Sequence, residues 1–211
     1  MKVVAFNGSP RKEGNTAILL NEVLGQLSSQ GIETELLQLG GQVIRGCIAC
    51  GRCAELKNKK CAITNDPIND YIELCAKADA VLLGSPTYFA DVTAELKAFI
   101  DRVGMVGMVN GAMFKRKAGA AVVAVRRGGS VHAFDTINHF FQISQMFTIG
   151  SSYWNMGYGR NPGEVKQDEE GLQTMQNLGK NMAWLLKCID VARTQIPEPE
   201  TLMVKRTSFI R

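Results

Sequence analysis

Short strand-like runs alternate with helical patterns about five times along this chain, and that alternation leaves few folds open. Residues 2–6, 33–38, 80–84, 118–125 and 148–152 read as strands, the third of them apolar throughout. Residues 15–30, 66–77, 93–102 and 131–144 read as helices, and a long helix over 168–191 closes the pattern. In the first helix Ile18, Leu19, Val23, Leu24 and Leu27 share one face, and Gly31 stops it. Asp66 and Pro67 open the second. Buried strands joined by crossover helices give a parallel sheet covered on both faces. The expected architecture is therefore α/β, a doubly wound five-stranded parallel sheet with helices on both faces. A chain of 211 residues, 45% of them hydrophobic, supplies one full core. We assign that core to residues 1–192, with a Cys-rich loop at 40–65, and read 193–211 as a C-terminal arm.

Charge and hydropathy set aside two classes of partner. The formal net charge is only +4, and no dense Lys/Arg run suggests a nucleic-acid surface. The basic patch at 57–60 reads as a solvated loop. No apolar stretch reaches the ~18–20 residues that a membrane span needs. Met1-Lys2 leads directly into a strand-like run, so no signal peptide is expected, and the expected compartment is the cytoplasm.

Ligands of doubly wound sheets lie at the strand C-termini, at the topological switch point. Three loops fall there, at 7–14, 85–91 and 126–130. The first lacks both the G-x-G-x-x-G spacing of a dinucleotide site and the G-K-[ST] ending of a nucleoside-triphosphate loop. It offers the Ser9 and Thr16 hydroxyls, the Asn15 amide, the Arg11 charge and the N–H groups of a helix start. Together these suit a phosphate monoester. The same residues also read as an ordinary helix N-cap by Asn15 or Thr16. In the second loop Pro86 stiffens the backbone, and Tyr88 and Phe89 set two aromatic rings at a strand end. That arrangement suits a flat heterocycle, although Phe89 can equally cap the core.

Four of the six cysteines crowd into one segment. Cys47, Cys50 and Cys53 form a C-x-x-C-x-x-C run, and Cys61 follows after seven residues. Such spacing lets three thiolates converge on one metal centre with a fourth to complete the set. An iron–sulfur cluster, a tetrahedral zinc site and free or redox-paired thiols all satisfy it. Cys75 and Cys188 lie in helical patterns and read as small buried apolar residues. His132 and His139, seven apart, share one helix face and read as surface or interface residues. The aromatic segment 153–159 reads either as a lid or as a packed loop.

Three of these motifs occur together: G-S-P-R-K-x-G-N-T after the first strand, G-S-P-T-Y-F after the third, and L-K-x-F-I-D-R on the next helix. Over about residues 1–155 the chain thereby resembles the NAD(P)H-dependent FMN reductase group of flavodoxin-like proteins. The Cys segment resembles the iron–sulfur flavoproteins, a branch of that family with a [4Fe–4S] cluster beside FMN. The resemblance implies a flavodoxin-like sheet, with Ser9, Arg11, Asn15 and Thr16 on the FMN phosphate and Pro86, Thr87, Tyr88 and Phe89 cradling the flavin. It implies Arg126, Arg127, Gly128 and Gly129 in a closing third loop, and Cys47, Cys50, Cys53 and Cys61 as cluster ligands. The adjacent arginines depart from a plain flavin edge, and they suit a nicotinamide-nucleotide phosphate, an acidic substrate or a subunit contact. The implied activity is FMN-dependent NAD(P)H oxidation, passing electrons to a quinone, a flavin or another small acceptor, with the cluster as a further outlet. The alternative is an electron carrier between redox proteins that turns over no small molecule. A homodimer or homotetramer is implied, and no protein acid or base is required, because the cofactor carries the hydride step.

Overall fold

The computed structural model describes residues 1–202 and Thr207. Five parallel strands lie in the order β2-β1-β3-β4-β5, with β1 at Lys2–Asn7, β2 at Glu33–Gln38, β3 at Ala80–Pro86, β4 at Ala118–Val125 and β5 at Phe147–Thr148. That is the flavodoxin-like order, with its switch point between β1 and β3. The sheet is double-faced because its strand residues alternate between two cores. Val3 and Ala5 of β1 face helices α1 (Asn15–Ser29) and α6 (Glu169–Ala192), packing with Leu19, Leu20, Val23 and Leu178. Val4 and Phe6 face helices α3 (Ile68–Lys77), α4 (Ala94–Val109) and α5 (Ser130–Ile143), among Ile68, Phe99, Val103 and Phe141.

Three elements differ from the sequence reading. The fifth strand position, expected over 148–152, is split in two. β5 pairs only with the start of β4, and a sixth strand, β6 (Met156–Tyr158), pairs with its end in the register Val123↔Met156. Between them the chain leaves the sheet, and Asn155 staples the excursion: its buried side chain donates to the Ile149 carbonyl (3.4 Å) and accepts from Ser151 Oγ (2.7 Å). The aromatic segment is thus partly a strand, with Tyr153 and Trp154 exposed in the bulge before it. Helix α4 runs seven residues past Arg102, the expected end, because Gly104 and Gly107 are packing sites and not breaks. A Cβ on Gly107 would lie 2.3 Å from the Phe114 ring. The third difference is a short helix, α2 (Arg52–Leu56), inside the Cys segment.

Cys188 is exposed, contrary to the sequence reading, because it lies on the outer face of α6; Cys75 is buried as expected. Among the described residues no helix is long and apolar enough to cross a membrane. The start of the C-terminal arm returns to the sheet edge opposite the three loops, where Arg116 pairs with Glu198 and donates to the Pro199 carbonyl (2.9 Å). Residues 203–206 and 208–211 of that arm lie outside the described residues.

Two glycines separate packing from propensity. A Cβ on Gly40 would sit 2.3–2.5 Å from the backbone of Gly8 and Ser9, whereas one on exposed Gly25 meets nothing within 4 Å. We expect Gly40→Ala to destabilise the protein by about 1–3 kcal/mol and Gly25→Ala to stabilise it by about 0.5–1 kcal/mol. Urea unfolding of the two variants beside the parent checks both signs.

Candidate functional site

The first loop is set rigidly before any ligand arrives. Asn7, the last residue of β1, donates from Nδ2 to Gln38 Oε1 (2.9 Å) and accepts the Ser9 N–H on Oδ1 (3.1 Å). Gln38 in turn donates to the Ser9 and Gly40 carbonyls, both at 2.7 Å. The loop is stitched to its neighbour as well. Gly8 N–H donates to the Gly84 carbonyl (2.8 Å), Thr93 Oγ1 donates to the Gly8 carbonyl (2.8 Å), and Thr93 N–H donates to Ser85 Oγ (3.1 Å). Ser9 and Thr16 are buried at the head of α1, with Ser9 Oγ accepting the Arg11 N–H (3.2 Å), while Arg11 itself stands exposed at the rim.

Asn15 has partners within the protein. Its Nδ2 donates to the Asn161 carbonyl (3.0 Å), and its Oδ1 accepts the N–H groups of Gly163 (2.9 Å) and Val165 (3.4 Å). It does not cap its own helix, whose N-cap is Gly14, without a side-chain bond. Asn15 instead fastens the segment 159–165, after β6, against the start of α1. The sequence reading did not include that segment, because the contact joins residues about 150 apart.

The second and third loops meet at Thr87. Its N–H donates to the Ala124 carbonyl (2.9 Å), and a Cβ on Gly129, where φ is +88°, would lie 3.0 Å from Thr87 Cγ2. Thr87 Oγ1 is buried with no hydrogen-bond partner. An unpaired buried hydroxyl costs about 1–3 kcal/mol, so it marks a position where a ligand atom belongs. Beyond it Tyr88 and Asp91 exchange backbone hydrogen bonds (2.8 and 3.1 Å) around Phe89 and Ala90, at φ +45° and +77°. Two successive left-handed residues without glycine store strain at the loop tip. The Phe89 ring is fully exposed and caps no core. Pro86 is half-buried, and Tyr88, Arg126, Arg127 and Gly128 are exposed around the same mouth. His132 Nε2 stands 3.4 Å from Asp91 Oδ2 beside it, and His139 is exposed farther along α5.

The four clustered cysteines line one cavity of about 190 Å³, together with Arg102, Met105 and Val106 of α4. Those α4 residues lie eight to twelve positions past the helix start, about 12–18 Å down its axis from the end that meets the second loop. The cavity therefore flanks the helix and does not sit at the sheet edge. Its wall has little regular structure and is held by side chains. Asn69 accepts the Cys61 N–H (2.8 Å) and donates to the Cys61 (3.0 Å) and Ile63 (3.2 Å) carbonyls. Asn110 accepts the Lys59 N–H (3.0 Å) and donates to the Cys53 carbonyl (3.3 Å). Arg102, fully buried, donates to the Arg45 and Ile63 carbonyls (both 3.0 Å), to Asp66 and to Cys61 Sγ (3.3 Å). Burial pushes the Asp66 carboxyl up, but bonds from Arg102 and the Ile68 N–H, with the Arg102 charge, outweigh it and hold it below its ordinary value.

Among the described residues no three His, Cys, Asp or Glu side chains gather closely enough to hold a single metal ion. The four cysteines instead share the lining of one cavity of about 190 Å³. Arg102 was legible as part of a motif but not as a clamp. Its signal was position: with Phe99, Val103 and Val106 it falls on the apolar stripe of α4, where a cation must find partners.

The sequence profile of NADPH-dependent FMN reductases matches residues 1–161. An iron–sulfur flavoprotein of Methanocaldococcus jannaschii is 38% identical over 196 residues, covering 90% of this chain and 99% of its own. An iron–sulfur flavoprotein of Methanosarcina thermophila is 29% identical over 195 residues, covering 92% of this chain and 99% of its own. Among solved structures, RosB with a bound formyl derivative of riboflavin 5′-phosphate superposes with a TM-score of 0.68 at 16% identity, covering 100% of this chain and 94% of that one.

Removing the Asp66 charge leaves a buried guanidinium uncompensated. We expect Asp66→Asn to destabilise the protein by about 3–5 kcal/mol at pH 7. Because the folded carboxyl titrates below its ordinary value of 3.8, its contribution is full above that value and disappears as pH falls through the folded one. Urea unfolding of parent and variant from pH 7 downwards should show the gap closing only below about pH 4.

Proposed function

The chain belongs to the NADPH-dependent FMN reductase family, with iron–sulfur flavoproteins among its relatives, and we propose that it binds FMN at the β1/β3 switch point and oxidises NAD(P)H there. The net reaction is NAD(P)H, a proton and an oxidised acceptor giving NAD(P)⁺ and the acceptor reduced by two electrons. The observation that carries this reading is the meeting of the second and third strand-end loops at the unpartnered Thr87 hydroxyl, next to a first loop bonded to the end of β3. When bound, FMN would supply the hydride-accepting and electron-releasing redox chemistry.

The protein's part is to bind and orient. Ser9, Thr16 and the N–H groups at the start of α1 hold the phosphate, and Arg11 adds charge from the rim. Thr87 offers its hydroxyl to the heterocycle, and Pro86 and Tyr88 flank it. Phe89, turned outward by its left-handed backbone, borders the open side of the site. Arg126 and Arg127 place two positive charges at the mouth, suited to the phosphates of a nicotinamide nucleotide or to an acidic acceptor. Cys47, Cys50, Cys53 and Cys61 are the donors for a [4Fe–4S] cluster, whose chemistry when bound is one-electron transfer. Four thiolates around a cavity of about 190 Å³ fit such a group. A homo-oligomer in the cytoplasm, with a small acceptor or a redox protein as partner, belongs to the same proposal.

Anaerobic addition of NADH or NADPH to the purified flavoprotein tests the reading. We expect the flavin absorbance to bleach and to recover on addition of a quinone or free flavin. Bleaching only by a reduced ferredoxin-like donor would make the protein a carrier. The phosphate assignment has its own check. Arg11→Ala should weaken FMN binding by roughly tenfold to a hundredfold, the loss of one charge-assisted hydrogen bond, without lowering the stability of the flavin-free protein. Asn15→Ala should lower that stability by about 1–3 kcal/mol, because it leaves the N–H groups of half-buried Gly163 and buried Val165 without their partner. Calorimetric titration with FMN and thermal unfolding separate the two.

A further inference from the structure

Among the four clustered cysteines, Cys61 has an environment of its own. Cys47 and Cys50 are exposed, and the Cys47 sulfur accepts only a backbone N–H, from Ala49 at 3.5 Å. The Cys61 sulfur accepts the Nε–H of Arg102 at 3.3 Å, from a guanidinium that is fully buried. The other donors of Arg102 go to carbonyls and to Asp66, so the whole group is locked in one orientation. Asn69 locks the Cys61 peptide on both its N–H and its carbonyl. Cys61 is also the cysteine that lies outside the C-x-x-C-x-x-C run. Its sulfur is therefore set by tertiary contacts and not by local turn geometry.

We propose that Arg102 is a positioning residue that fixes Cys61 as the fourth ligand of the cluster and raises the cluster's reduction potential through its Nε–H···Sγ hydrogen bond. The inference rests on the cluster reading given above. A hydrogen bond to a ligating sulfur withdraws charge from it, and so favours the reduced, more negative cluster. A charged donor does this more strongly than a neutral one. Lysine cannot substitute: its ammonium can still face Asp66, but it has no planar fork to reach two carbonyls, a carboxylate and a sulfur at once. Asp66 works in the opposite sense, since its charge offsets that of Arg102.

The test uses the full chain, loaded with iron and sulfide under anaerobic conditions and titrated by paramagnetic resonance of the reduced cluster. Arg102→Lys should lower the one-electron reduction equilibrium about tenfold or more, a shift of about 59 mV to more negative potential. Asp66→Asn keeps the Arg102 donor and removes a negative charge, so its potential should stay or move positive. Loss of structural order alone would move both variants in the same direction, and that result would overturn the proposal, as would an unchanged potential in Arg102→Lys. If Arg102→Lys does not load, the parent protein decides: after ¹⁵N-arginine labelling, its reduced cluster should show hyperfine coupling to one arginine nitrogen, and absence of that coupling would overturn the proposal. Parent protein that takes up no iron or sulfide would instead remove the cluster reading, and this inference with it.

Discussion

A guanidinium on the apolar face of α4 organises the least regular long stretch of this protein. Burying a cation is tolerable only if its charge and every N–H are matched. Among the described residues all four hydrogen-bond acceptors of Arg102, the Asp66 carboxylate among them, lie in the stretch from Arg45 to Asp66. That stretch has only the five residues of α2 as regular structure, so its backbone groups need side-chain partners. Arg102, Asn69 and Asn110 supply them, each reaching from a helix that the sheet already holds in place. A long loop inside a compact fold is ordinarily functional, and here the fold commits three helix-borne side chains to keeping one in shape.

Helix α4 also links the two candidate sites. At its start, Thr93 fastens the first loop to the end of β3 by bonding Gly8 and Ser85. Two to three turns lower, the same helix forms the floor of the cysteine cavity. One rigid rod therefore sets the separation between the strand-end loops and the cysteine cavity. The strain at Phe89 and Ala90 and the unpaired Thr87 hydroxyl are confined to the upper end. This is the pattern expected where a ligand completes the structure.

The sheet and its helices were legible because their signals are local. β1, β2 and β4 follow the sequence reading to within one residue, because apolar runs and Gly or Asp-Pro boundaries mark them. The first strand-end loop and the clustered cysteines stood out for the same reason, as short motifs. What was missed depends on contacts distant in sequence. The last turns of α4 lie beyond the expected end at Arg102, where Gly104 and Gly107 pack against Phe140 and Phe114. Asn15 read as a helix cap, whereas its side chain bonds residues 161–165. The split fifth strand was hidden because a two-residue strand carries almost no pattern, and β6 is recognised by its pairing with Val123 and not by its composition. Arg102 combines both cases: a cation at a core-facing position is a visible anomaly, but only the fold shows what it holds.

The central claim is that one fold houses two redox centres, a flavin on the strand-end loops and a cluster on the four cysteines beside α4. Counting iron, acid-labile sulfide and flavin per chain in anaerobically prepared protein tests it most directly. The account predicts one FMN with about four iron and four sulfide per chain, the iron and sulfide lost together in Cys50→Ser while the flavin stays. Protein that carries FMN but no iron, with four freely titratable thiols in the segment from Cys47 to Cys61, would contradict it.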